Sequence, residues 1–325
     1  RLGKGTRTTR EGYAFLTFAL KNQQPRRIED GLPYLERGVR ISLGTISWEK
    51  VGRAIGENIR SLSETDPFIA RFAREAIGQT PGAASTLTPE QAVARVVEHV
   101  GKVIKVASGG GELSDFAGYY GGGSLGQTAR TAIEEGTGSR TWAIYRTLQE
   151  LKIDTEIAVA ETEPFSAAPN FPPHPGRFRK PLVVAKVDGK ELWIDADVQG
   201  PPLPPGRISP ELRGRSAILG GGDIVAVPVP ADEQVDEANI TLALDPSGTA
   251  KGKVTLTLRG GQAQALAEAF FYVVGDDRTQ MLRSVVQSFL PWASIDEVKL
   301  ASKEGAWEIV LDANVTVPGL STPDT

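Results

Sequence analysis

The spacing of hydrophobic residues changes near residue 153, and this change constrains the fold more than any other feature of the sequence. Before it, apolar residues recur every three to four positions, which is the period of an amphipathic helix. After it, apolar and polar residues alternate, which is the period of a half-buried strand. A run of helices followed by a run of strands predicts an α+β fold with an antiparallel sheet.

Helix-start signals support this prediction in the first half of the chain. Ser47, Asp66-Pro67 and the capping box Thr88-Pro89-Glu90-Gln91 each precede an amphipathic stretch. Two further helices are predicted at residues 124–135 and 139–152.

Strands are predicted in the second half at residues 155–160, 182–187, 190–195 and 223–228. Asp188-Gly189 lies between the middle two. This dipeptide is a strong signal for a tight hairpin.

The length of the chain and its segment boundaries predict three domains or partial domains, since 325 residues suffice for two or three domains. Residues 1–46 contain strand-like segments and are predicted to be the C-terminal part of a β-rich domain. Residues 47–228 form the central domain, and residues 229–325, after Pro228-Val229-Pro230, form a small α+β domain with an antiparallel sheet. The chain starts at Arg1 without methionine, so we expect further domains upstream.

The chain contains no cysteine, which excludes disulfides, thiolate metal sites and a cysteine nucleophile. It has two histidines, His99 and His174, so neither a usual zinc site nor a cofactor is expected. The net charge of −4 and the dispersed Lys and Arg residues give no reason to expect nucleic acid as a partner. The sequence contains no run of about 18 apolar residues, so no membrane span is predicted.

Five segments of the sequence carry a resemblance to a known protein family. They are Trp48-Glu49, residues 132–153, residues 178–197, residues 187–195 (VDGKELWID) within that stretch, and residues 240–258. They resemble, in turn, the first helix, the segment around Gly-x-Cys, the histidine and aspartate strands, the second strand and the tail-domain hairpin of bacterial transglutaminase-like proteins with flanking β-rich domains. The resemblance implies a papain-like transglutaminase core at residues 47–228, preceded by remnant strands and followed by the small α+β domain.

The chemistry of that family needs a cysteine at a helix N-terminus, a histidine and an aspartate. The resemblance places the cysteine position within Thr137-Gly138-Ser139, at Thr137 in an ungapped register. It places the histidine position on Lys180 and the aspartate position on Asp195, which is retained. Because the cysteine and the histidine are both replaced, the resemblance implies a pseudoenzyme.

An alternative hypothesis keeps catalysis. In it, Ser139 or Thr137 is the nucleophile of a hydrolase or acyltransferase, His174 is the base, and Asp195 orients the base. We favour the simpler interpretation, in which Ser139 caps a helix, His174 is a loop residue and Asp195 makes structural hydrogen bonds. His99, beside the valines of its helix, is interpreted as a structural histidine.

Three aromatic residues, Tyr119, Tyr120 and Trp142, surround the former active centre in the sequence. An aromatic-lined cleft left over from an enzyme can bind a peptide or glycan. Alternatively, Trp142 belongs to the core. Both interpretations stay open at this point.

The favoured hypothesis is a non-catalytic module in the periplasm or cell envelope of a bacterium. It would act as a scaffold, or bind a protein or peptide, within a larger envelope protein. The second hypothesis is the hydrolase described above, and the third is a purely architectural spacer in a multi-protein machine. An open cleft beside Ser139 would favour binding or catalysis, whereas a cleft filled by the protein's own side chains would favour the spacer.

Overall fold

The computed structural model describes residues 6–10, 13–17, 47–61, 66–79, 86–106, 129–162, 178–230, 236–301 and 307–320. Contacts divide the chain into two compact units, residues 1–42 and 43–325. In the first unit, strands β1 (Thr6–Arg10) and β2 (Tyr13–Thr17) pair in antiparallel fashion. A second strand predicted in this region, residues 38–43, lies outside the described residues.

In the second unit, α-helices come first. They are α1 (Trp48–Ser61), α2 (Pro67–Ala76), α3 (Pro89–Val103), α4 (Ala129–Glu135) and α5 (Arg140–Glu150). The caps predicted for α2 and α3 are present. Asp66 Oδ1 accepts a hydrogen bond from the Phe68 N–H at 2.8 Å, and the side chains of Thr88 and Gln91 accept from each other's backbone N–H. These side chains satisfy N–H groups that lack a partner inside the helix, so they fix where each helix begins.

An antiparallel sheet with the strand order β5-β4-β3-β6-β7 follows the helices. Its strands are β3 (Asp154–Glu161), β4 (Phe178–Val187), β5 (Lys190–Ile194), β6 (Ser216–Leu219) and β7 (Ile224–Ala226). The predicted hairpin joins β4 to β5. Asp188 and Gly189 both have positive φ, 51° and 75°, as a two-residue turn of this kind requires. The sequence prediction missed β6, which is four residues long and pairs with β3.

Helix α5 lies at the centre of this half of the unit. Every residue from Arg140 to Leu148 is buried, because α2, α3, α4, β3 and β4 all pack against the helix. Ile144 and Leu148 are fully buried in the main hydrophobic core. A helix buried in this way can carry polar groups only where partners are provided for them. Its N-terminus, where backbone N–H groups have no partner inside the helix, therefore depends on the surrounding chain.

The rest of the unit is an α+β element with its own core. Strands β8 (Glu237–Leu244), β9 (Ala250–Arg259), β10 (Ser294–Leu300) and β11 (Glu308–Val317) form an antiparallel sheet in the order β10-β11-β9-β8. Helices α6 (Gly261–Tyr272) and α7 (Gly275–Phe289) pack on β9, β10 and β11. The combination of helices and antiparallel sheets confirms the predicted α+β class. Contacts place this element in the same compact unit as the helices above, so its independence as a domain stays a prediction.

Two contacts join the main hydrophobic core to the core of the C-terminal α+β element. Val198 and Leu203, which follow β5, form a small buried cluster with Trp307, which precedes β11. Gln264 Nε2 on α6 donates a hydrogen bond to Ser209 Oγ at 3.2 Å. Both contacts involve the chain segment between β5 and β6. The C-terminal element therefore packs against this segment.

Helix α1 approaches the turn between β6 and β7 so closely that side chains are excluded. A Cβ atom added to Gly52 would lie 1.9 Å from the Cα of Gly222, and one added to Gly56 would lie 2.1 Å from the carbonyl oxygen of Gly220. The helix backbone therefore rests directly on the backbone of the turn.

We expect Gly56→Ala to destabilise the protein, although alanine usually stabilises a helix by about 1 kcal/mol relative to glycine. The added methyl group would meet the Gly220 carbonyl, and moving α1 away would cost on the order of 1–3 kcal/mol, as overpacking does elsewhere. Thermal unfolding followed by circular dichroism measures the effect. Glu57→Ala, at an exposed position of the same helix, is the control and should change stability little. A melting temperature of Gly56→Ala equal to or above that of the wild type would contradict the contact.

Candidate functional site

A carboxylate from a distant part of the chain caps the N-terminus of α5. Asp197 Oδ1 accepts hydrogen bonds from the backbone N–H of Arg140 at 2.6 Å and of Thr141 at 3.4 Å. Asp197 Oδ2 accepts from the Ser139 hydroxyl at 2.7 Å. Ser139 occupies the N-cap position, as predicted, but its own side chain makes no capping hydrogen bond. The predicted cap is corrected accordingly: Asp197 supplies it, and a carboxylate suits the positive end of the helix dipole better than a hydroxyl does.

Lys180 and Asp195 meet beside this cap. Lys180 Nζ, on β4, donates to the backbone oxygen of Asp197 at 2.5 Å and lies 3.4 Å from Asp195 Oδ1. Asp195 is fully buried, and its Oδ2 accepts from the Ser209 N–H at 3.1 Å. The residues that the resemblance assigned to the histidine and aspartate positions are therefore neighbours, and they form an ion pair.

The side chain of Arg140 lies next to this cap and donates hydrogen bonds to the loop after β5. Its side chain is buried, with Nε donating to the Ile104 carbonyl at 2.8 Å. Nη1 donates to the carbonyls of Val198 and Gly200 at 3.1 and 2.7 Å. Burial lowers the pKa of Arg140 from its ordinary value, and the charge of Asp197 partly opposes this effect. The guanidinium thus acts as a fixed multiple donor that links α3, α5 and the loop.

We call Ser139, Arg140, Lys180, Asp195 and Asp197 the buried charge cluster. It contains two cationic and two anionic side chains, so its formal charge balances. Paired charges with satisfied hydrogen bonds are the form in which ionic groups are tolerated inside proteins. The cluster is therefore a charge-balanced network at the N-terminus of α5. One atom in it, Asp195 Oδ1, has no hydrogen-bond partner among the described residues and is compensated by the Lys180 ammonium at 3.4 Å.

The other residues singled out from the sequence lie elsewhere. Thr137 is exposed, and its segment forms a backbone bridge with Lys105. Trp142 is 9% exposed, belongs to the main core and contacts the ring of Tyr145 edge-on. The remaining candidates, Tyr119, Tyr120 and His174, lie outside the described residues.

The arrangement leaves little room for nucleophilic chemistry at α5. In enzymes that place a nucleophile at a helix N-terminus, the N–H groups there stabilise the developing oxyanion. Here Asp197 already accepts from two of those groups, and the same carboxylate holds the Ser139 proton. The anion-binding position is therefore filled by the protein itself. Among the described residues, no group of three or more His, Asp or Glu side chains could hold a metal ion.

Sequence reasoning missed Asp197 and Arg140. Asp195-Ala196-Asp197 carried a usable signal, because two carboxylates spaced by two residues on an extended segment point to the same side. Arg140 gave a weaker signal. It stands four residues before Ile144 and eight before Leu148, on the apolar stripe of the predicted helix, and a charged residue on such a stripe is usually buried with partners.

A cleft of about 650 Å³ lies at the other end of α5. Its walls come from α2, the start of α3, the end of α5 and strands β3 and β4; they include Ala73, Ile77, Leu151, Lys152 and Lys186. No residue of the buried charge cluster lines it. The cleft is therefore separate from the buried charge cluster. Among the described residues, no helix combines the length and the apolar character that a membrane crossing requires.

Comparisons with known proteins assign no family. No protein-family model and no curated protein matches the chain. A solved structure that matches is a crystal structure described as a putative protease from Parabacteroides distasonis ATCC 8503, with 12% identity and a TM-score of 0.43. The match covers 98% of this chain and 63% of that chain. A TM-score this low carries no argument about shared fold or function.

His99, half-buried on α3, packs against the ring of Phe72 on α2, with the ring centres 4.9 Å apart. Burial lowers the pKa of His99 below its ordinary value of 6.5, and the nearby charges of Glu75 and Glu98 only partly oppose this effect. The folded protein therefore favours the neutral imidazole.

Replacing the cap on α5 should be costly. We expect Asp197→Ala to lower the free energy of unfolding by about 2–4 kcal/mol, because it leaves buried N–H groups of α5 and the Ser139 hydroxyl without an acceptor. Ser139→Ala removes one hydrogen bond from the same carboxylate and should cost about 1–2 kcal/mol. Urea unfolding gives both values, with Asp154→Ala, at an exposed position in β3, as the control. Wild-type stability in Asp197→Ala would show that the cap is not needed.

The lowered pKa of His99 predicts a pH dependence of stability. Because the unfolded chain binds the proton more tightly, the stabilisation linked to His99 is complete above pH 6.5. It is lost as the pH falls from there through the lowered folded-state pKa. We expect stability to fall more steeply over this range in the wild type than in His99→Gln. NMR titration of His174→Gln, which leaves one imidazole in the chain, measures the pKa directly, and a midpoint at or above 6.5 would refute the prediction.

Proposed function

We propose that this chain is a non-catalytic scaffold module of the transglutaminase-like class, in which the former catalytic centre has become a structural joint. The observation that carries the proposal is the position of Asp197. Its carboxylate fills the N-terminus of α5, where a papain-like enzyme needs a nucleophile and free N–H groups. The class itself is proposed from the resemblance of the sequence to bacterial transglutaminase-like proteins.

The hydrogen bonding of Ser139 argues against its use as a nucleophile. Its hydroxyl donates to Asp197, a carboxylate that also accepts from two N–H groups of α5. A nucleophilic serine must pass its proton to a base that is free to keep it during attack. An acyl oxyanion would in addition need the N–H groups that Asp197 occupies. Neither requirement is met while Asp197 stays in this position.

The second hypothesis, a hydrolase or acyltransferase, has less support. It requires Asp195 to orient His174, but the two carboxylate oxygens of Asp195 already face the Ser209 N–H and the Lys180 ammonium. Thr137, the other nucleophile considered, is exposed and pairs with Lys105 through its backbone segment. The geometry therefore favours a structural role for Asp195.

The buried charge cluster also joins the two cores, which is a property expected of a scaffold. The Ser209 N–H donates to Asp195, while Ser209 Oγ accepts from Gln264 on α6. One residue thus connects the retained aspartate to the C-terminal α+β element. We propose that Asp195 serves to hold this element in a fixed orientation against the first core.

Between the two non-catalytic roles, the filled centre favours an architectural role over ligand binding at this site. Trp142 is almost entirely buried and offers a ligand little surface. A protein or peptide partner would therefore contact other surfaces of the module. Its place in a larger bacterial envelope protein, in the periplasm or cell envelope, is proposed from the resemblance alone.

Two measurements together test the proposal: labelling with a fluorophosphonate probe, which reacts with activated serines, and thermal unfolding. We expect no labelling of the wild-type chain and lower melting temperatures for Ser139→Ala and Lys180→Met. Lys180→Met leaves Asp195 buried without its ion-pair partner, a change that typically costs about 3–5 kcal/mol. Lys186→Met is the matched control, because Lys186 lies on the same strand but its partner Glu156 is a surface one. Such surface pairs contribute about 0–1 kcal/mol.

Catalytic residues behave differently, since replacing one commonly leaves stability unchanged or raises it. Two results together would contradict the proposal. The first is labelling of the wild type that is lost in Ser139→Ala. The second is wild-type stability of both Ser139→Ala and Lys180→Met. Assays of amide hydrolysis and acyl transfer on the same proteins would then identify the reaction.

A further inference from the structure

Strand β8 forms one edge of the C-terminal sheet, and no further strand pairs with its outer side in the described part of the chain. Seven of its eight residues are exposed. An unpaired edge presents a row of backbone N–H and C=O groups, which is a template for another strand.

The core face of β8 extends beyond the helices that cover the rest of the sheet. Ile240, Leu242 and Leu244 share this face with the buried residues Val254 and Ala250 of β9, which are cross-strand partners of Ile240 and Leu244. The helices α6 and α7 pack on β9, β10 and β11. As a result, 41% of Ile240 and 55% of Leu244 remain exposed, while Leu242 is partly buried against the core.

The edge strands β5, β7 and β10 carry features that discourage pairing, and β8 does not. Strand β5 begins with two charged residues. Strand β10 contains Asp296, Glu297 and Lys299 and has a bulge between Ile295 and Glu297. Strand β7 is three residues long. Strand β8 has one charged residue, Glu237 at its first position, no proline, and an unbroken register with β9. Bulges, charges and shortness are the usual protections of an edge, so their absence marks β8 as a pairing surface.

The backbone of β8 selects a register for such pairing. The Asp245 N–H donates to the Thr249 carbonyl, so odd-numbered residues along this strand bond to β9. Even-numbered residues therefore turn their N–H and C=O groups toward the free edge, and these residues also carry the apolar stripe. An antiparallel copy of β8 centred on Leu242 would set Ile240 opposite Leu244 of the other copy, and Leu242 opposite Leu242. Glu237 would fall outside the paired segment.

We propose that two copies of this chain associate through antiparallel pairing of their β8 strands about a two-fold axis at Leu242, so that the two four-stranded sheets become continuous. A second copy is the occupant because the strand is complementary to itself. Its apolar stripe meets the same stripe, its outward backbone groups match in register, and no like charges are opposed.

Sedimentation velocity on the full chain tests the association. We expect the sedimentation coefficient to rise with concentration from monomer to dimer. Ile240→Lys should weaken the dimer at least about tenfold, because the two-fold axis brings two lysines into the apolar stripe. Asn239→Lys, on the opposite face of the same strand and opposite the uncharged Thr255, is the matched control and should dimerise like the wild type. A chain that stays monomeric up to about 100 μM would overturn the proposal, because protein interfaces of ordinary size have dissociation constants in the micromolar range or below. Equal dimerisation of both variants would also overturn it.

Cross-linking tests the register. The chain has no cysteine, so Leu242→Cys creates a single thiol. The pairing sets the two Cα atoms about 5.5 Å apart, within the range of a disulfide. Mild oxidation should therefore give a covalent dimer of Leu242→Cys but not of Lys299→Cys, an exposed position on the opposite edge of the sheet. Equal cross-linking of both variants, or of neither, would contradict the register, and circular dichroism spectra confirm that each variant is folded.

Discussion

The hydrogen bonds between Asp197 and the N-terminus of α5 are the interaction on which the first core depends. Because α5 is buried along most of its length, the N–H groups of its first turn cannot rely on water. Asp197 accepts from two of them, and it can do so only if the chain after β5 returns to the helix. The returning chain also brings Asp195 next to Ser209, whose N–H donates to the Asp195 carboxylate. The C-terminal element then packs on the segment so placed.

Lysine and histidine differ in what they can do at position 180. A histidine can exchange a proton near neutral pH, which suits a catalytic base. The Lys180 ammonium instead contacts two acceptors at once, the Asp197 carbonyl and the Asp195 carboxylate. Together with Arg140, it balances the two carboxylates of the buried charge cluster. The cluster therefore works as a set of fixed charges, in keeping with a structural role.

Local patterns predicted the fold class, because caps and turns are encoded within a few residues. The N-cap at Asp66, the capping box at Thr88 and the Asp188-Gly189 hairpin are of this kind. Strand β10 was missed because its charged residues on an exposed edge obscure the alternation of apolar side chains. The cap on α5 was assigned to Ser139 because no local signal indicates an acceptor that lies 57 residues further along the chain. Long-range partners of this sort emerge only from the packing of the whole sheet.

The pairing of Lys180 with Asp195 also limits which substitutions the fold tolerates at these two positions. Each side chain is buried or nearly so, and each neutralises the other. A substitution at either position alone strands a charge in the protein interior, so only paired changes leave the fold intact. Selection for a folded chain is therefore enough to retain both residues, since losing either one would unfold the protein, whatever else the chain does.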